Sequence, residues 1–145
     1  MSALAPAAVR LRIDAAIALV SGFSRSRFGY EVFGQDARVL AHGAYAVGIT
    51  QTTAHRADVR QVRAAGLMVE SEISVRMSAN YRADAQVTDS DIGLSLEALM
   101  LHAVMGASLV NLHVSYVDSS REITNDAEFW LSTTRFRCIH RISLE

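Results

Sequence analysis

The sequence predicts an α+β fold: an antiparallel, or mixed, sheet with two main helices packed on one face, in one domain spanning 1–145. Three observations carry this. Two segments, near the start and around residue 97, repeat apolar residues at helical spacing. Two long segments alternate apolar and polar residues as half-buried strands do. The order runs helix, strand, strand, helix, strand, strand, with no repeat and no Pro/Gly-rich linker, which suits a sheet covered by helices on one side.

The first helix is expected from about Ala5 to Val20, with Pro6 tolerated in the first turn and Ser2 as a cap. Val9, Ile13, Ala16, Ile17 and Val20 form its apolar face, and Arg10, Arg12 and Asp14 fall mostly elsewhere. Ser21-Gly22 ends it. Residues 22–43 are broken by Gly29, Gly34 and Gly43 and read as loop with some extended structure. Ala44–Thr53 reads as a strand through Tyr45, Val47 and Ile49. Ala54–Gly66 is a short helix or a polar excursion.

The strand starting at Leu67 is unusually long. Leu67, Val69, Ile73, Val75, Met77 and Tyr81 point one way; Glu70, Glu72, Ser74, Arg76 and Ser78 point the other. At ~3.3 Å per residue it would span roughly 50 Å, so it is expected to bend or to project beyond the body of the domain. A second helix follows, capped by Asp89 or Ser90, with Ile92, Leu96, Leu99, Met100, Ala103 and Val104 as its apolar face. Leu109–Val117 is a strand, Asp118–Glu128 a polar loop, and Phe129–Leu144 the last strand. In that strand Trp130, Thr134, Phe136, Cys138 and Ile142 face the core, and Arg135, Arg137 and Arg141 face away.

A chain of 145 residues buries a core without disulfides or metals. A net charge of -1 gives no overall electrostatic case for nucleic acid or a membrane surface. All 14 basic residues are arginine, whose fork pairs with carboxylates bidentately and tolerates interfaces. The single cysteine excludes an internal disulfide. Arg10, Arg12 and Asp14 interrupt the apolar start, against a signal peptide, and no stretch is long enough to cross a bilayer. Synthesis in the cytoplasm is expected.

Catalytic, cofactor and metal sites are expected to be absent. No phosphate loop, nucleophile elbow or dinucleotide fingerprint occurs. The five histidines do not stand at metal-ligand spacing, although His113 and His140 could meet across paired strands. Asp84, Asp89 and Asp91 lack the spacing of a calcium loop. Cys138 reads as a buried small hydrophobe. The candidate contact residues are Glu70, Glu72 and Arg76 on one strand and Arg135, Arg137 and Arg141 on another. They form either a solvated outer face or ion pairs between subunits.

From about Leu67 to Leu144 the chain resembles the tail terminator and tail-completion proteins of long-tailed bacteriophages, the family of the lambda minor tail protein U. The likeness lies in "SEISVRMSANYR", the capped "DSDIGLSLEALMLHAV", "LHVSYVDSSREI" and the closing "WLSTTRFRCIHRISL". The resemblance implies a non-enzymatic virion protein of the tail or neck, assembled in the host cytoplasm. It implies a homo-oligomeric ring, usually a hexamer, that ends tube growth and meets the tail tube protein and the head-tail connector protein. It would make the charged strand faces ring or tube contacts. Two other readings stand beside it: another neck or head-completion adaptor, and a small α+β enzyme or ligand-binding protein.

Overall fold

A computed structural model of the protein describes residues 3–27, 29–34, 40–55, 66–81, 90–108, 111–124 and 128–143. Helix α1 (Pro6–Ala18) is followed by a two-residue strand β1 (Ser24–Arg25), a 3₁₀ turn (Tyr30–Val32) and strand β2 (Ala44–Ala54). Strand β3 (Leu67–Asn80), helix α2 (Ser90–Met105), and strands β4 (His113–Ile123) and β5 (Phe129–Ile142) complete it. The sheet order is β1-β2-β3-β5-β4. Among the described residues, only the β1/β2 pair is parallel. This is the expected α+β class, with a mixed sheet and both helices over one face.

Alternation fixes that face. On β3, Val69, Ile73, Val75, Met77 and Ala79 are buried; on β5, Trp130, Phe136 and Cys138 are. They join Val9, Ile13 and Ile17 of α1 and Met100 and Val104 of α2 in the main core. A second, smaller cluster lies on the opposite face. Phe33 and Leu40 pack there over Ala44 and Ala46, with Tyr30, Phe129 and Leu131 at its margin. Gly48 makes this cover possible, because a Cβ there would stand 2.4 Å from the Tyr30 ring. The glycine-broken segment therefore roofs half of the outer face.

Four expectations need correction. The long strand does not project alone beyond the sheet: β3 pairs with β5 along its full length, from Leu67↔Ile142 to Asn80↔Phe129. Residues 118–123 are strand, not loop, because β4 continues to Ile123. A bulge between Tyr116 and Asp118 breaks the alternation there, and as an edge strand β4 needs only one apolar side. On α2 the buried line is Gly93, Glu97, Met100 and Val104, while Ile92 and Leu99 are exposed. That helix is apolar almost all round, so its sequence carries little phase information. Gly93 sets the phase, since a Cβ there would meet the Trp130 ring at 2.6 Å. Finally, Asp14 is buried on α1 rather than turned away.

The first helix begins at Pro6 with Ala5 at its cap position and no side-chain cap bond. The caps expected at Ser2, Asp89 and the Ser90 side chain, together with most of Ala54–Gly66 and Asp84, lie outside the described residues.

Candidate functional site

The antiparallel register of β3 and β5 builds a charged ladder on the half of the outer face left open. Glu72 stands opposite Arg137, and Ser74 opposite Arg135. Each arginine reaches diagonally along the sheet. Arg135 Nη1 donates to Glu72 Oε1 at 3.2 Å, and Arg137 Nε lies 3.6 Å from Glu70 Oε2. Arg135 also grips Asp118 of β4 with both Nε, at 2.7 Å, and Nη2. At the far side, His55 Nδ1 is 2.9 Å from Glu70 Oε1. The ladder thus runs from β4 to the end of β2. With Gln51, Thr53 and Val117 it lines an open depression of about 290 Å³.

The electrostatics follow from these contacts. Hydrogen bonds from Arg135 hold the Asp118 carboxyl below the usual carboxylate range. Asp118 and Glu72 in turn push the Arg135 guanidinium up. Asp118, Arg135 and Arg137 are about half exposed, so these pairs set side-chain positions and contribute little stability.

The six candidate residues therefore separate. Glu70, Glu72, Arg135 and Arg137 come together, but their charges meet within one chain. Arg76 belongs to the covered half: its Nη1 donates to the Tyr30 carbonyl at 2.7 Å and its guanidinium lies 4.1 Å from the Tyr30 ring centre. Arg141 packs its stem beside Gly66, and its Nε is buried without a hydrogen-bond partner among the described residues.

Three polar clusters on the helix side went unseen in the sequence. Tyr45 Oη donates to Asp14 Oδ1 at 2.7 Å, and Arg25 Nε donates to the same oxygen at 2.9 Å. Burial, then Asp14, pushes the Tyr45 phenol up to about 12. On α2, Glu97 accepts two bonds from Arg121 of β4, at 2.8 and 3.1 Å. The third cluster joins Ser71, His140 and Leu4. The Leu4 carbonyl can only accept, so His140 Nδ1 carries the proton and donates to it at 2.7 Å. His140 Nε2 then accepts from Ser71 Oγ at 2.7 Å. Burial pulls the His140 pKa down, opposed by the Leu4 bond.

A hydroxyl donating to an oriented imidazole is the geometry of an activated nucleophile. Here Ser71 and His140 are both fully buried, so a substrate cannot reach Oγ in this arrangement. The one signal available in the sequence was phase: Ser71, Glu97, Thr134 and His140 are polar residues standing in line with core residues.

His113 and His140 do not meet. His113 is opposite Ile139, whereas His140 is opposite Val69 on the helix-covered face. Cys138 is buried, which pushes its thiol up to about 12. Among the described residues, no group of three or more His, Cys, Asp or Glu side chains is placed to hold a metal ion. No described helix is long and apolar enough to cross a membrane. No family model matches the chain, and no curated protein matches it either.

Proposed function

We propose that this protein is a structural assembly subunit of the tail-terminator kind. Copies close into a ring of six, the number that the resemblance implies, at the head-proximal end of a phage tail tube. The ring stops tube growth and offers a surface to the tail tube protein on one side and the head connector on the other. No reaction is assigned to it.

The observation that supports this best is the pair of sheet edges. Among the described residues, β1 covers only Ala44 and Tyr45, and no other described strand pairs with the rest of β2 on that side. β4 is the opposite edge. Each strand from β2 through β3 and β5 to β4 runs antiparallel to the last, so β4 is antiparallel to β2. A neighbour placed head to tail therefore continues the sheet in antiparallel sense, and head-to-tail contacts that rotate correctly close a cycle. Closure would also cover two edges that otherwise invite uncontrolled pairing. The ladder, already neutralised within each chain, would then form a continuous polar wall around the ring.

Electron microscopy and light scattering of the purified chain test this. The expected result is rings of fixed diameter, with a mass that is a multiple of six chains. Val117→Lys, at the β4 bulge, should abolish the rings with unchanged circular dichroism. A wild-type chain that stays monomeric at micromolar concentration refutes the ring.

A further inference from the structure

The helix layer has a second apolar face, turned to solvent. On α1 the exposed positions are Ala7, Leu11, Ala15 and Ala18, followed by Leu19; none is charged. Its charged residues are engaged elsewhere: Arg12 donates to Asn111, and Arg10 and Arg25 flank Asp14. On α2 the exposed positions are Asp91, Ile92, Leu94, Ser95, Ala98, Leu99, His102 and Met105. Leu11, Leu19, Ile92, Leu94, Leu99 and Met105 are between 38% and 89% exposed. Their exposed surface is on the order of 500 Å², near the upper end of what single soluble chains display as one patch. It also matches the apolar part of a standard interface of about 800 Å² per partner.

We infer that this face docks a second copy of the chain through a two-fold crossing of α2 against α2. Two features select a second copy. The face is nearly uncharged, so a two-fold axis brings no like charges together. The two polar ends are complementary under that axis. Asp91 and His102 are eleven residues apart, three turns of helix, and so lie on one line of the exposed face. An antiparallel crossing centred midway sets Asp91 against the partner's His102, twice. The same register puts Leu94 against the partner's Leu99. It puts Ser95 against the partner's Ala98, where small side chains let the helices approach closely. This contact is separate from the sheet edges and does not depend on the ring.

Crosslinking tests it. Cys138 is buried, so the wild-type chain is a silent background for a short bismaleimide. Ser95→Cys, near the axis, should link chains in pairs far faster than Thr53→Cys, an exposed control on the other face. Leu99→Asp added to Ser95→Cys should lower the yield about tenfold or more, because the contact would have to desolvate a carboxylate. Asp91→Arg should weaken linking, and His102→Asp added to it should restore linking with no change in fold. Equal linking at Ser95→Cys and Thr53→Cys, or no rescue by the charge swap, overturns the proposal. Loss of rings in Val117→Lys with retained Ser95→Cys pairing would separate this contact from the ring.

Discussion

Removing Arg121 should unmask the cost of the carboxylate it covers. Glu97 is 5% exposed and sits on the buried line of α2. Its two oxygens accept from Arg121 Nε and Nη2, and the Thr134 hydroxyl reaches it only at 3.5 Å, too long to hold a charge alone. Breaking one partner of a buried pair costs about 3–5 kcal/mol. The Arg121 side chain is 44% exposed, so water replaces part of the lost contact and about 2 kcal/mol is the expected loss for Arg121→Met. In a chain of this size that is a drop in Tm of about 4–8 °C. Urea unfolding should show the midpoint falling at unchanged slope, which marks a change in stability alone. Glu97→Met combined with Arg121→Met should recover most of the loss, because an apolar pair of similar volume avoids desolvation altogether. An Arg121→Met midpoint within about 0.5 kcal/mol of wild type would refute the argument, since surface substitutions fall in that range.

Two further outcomes follow from buried groups. His140 has its folded-state pKa below the unfolded value near 6.5, so its contribution is complete above that pH and is lost as pH falls toward the folded value. Stability should therefore decline by up to about 1.4 kcal/mol per pH unit below pH ~6.5, and His140→Phe should remove that slope in urea titrations at several pH values. Gly93→Ala should cost about 1–3 kcal/mol in thermal melts by pushing α2 off Trp130, although alanine is the better helix former. A neutral or stabilised Gly93→Ala would show that the helix has room to shift.

Local chemistry left the short β1 and the 3₁₀ turn as loop, but it determined the order of the two helices and the four long strands, the inward face of β3 and β5, and the core line Val9, Ile13 and Ile17. Each of these repeats with a period set by backbone geometry, which a sequence displays directly. The charged outer face was legible for the same reason. Only the tertiary structure decided where those charges go. Strand register sends Arg135 to Glu72 and Asp118, and Arg137 to Glu70, within one chain. It also decided the phase of α2, because a helix apolar on every side is oriented by what it meets, here Trp130 against Gly93. The pairs Tyr45–Asp14, Arg121–Glu97 and His140–Ser71 are likewise tertiary. Their members lie 31, 24 and 69 positions apart, and a hydrogen bond over such separations exists only once the strands have paired and the helices have packed on the sheet.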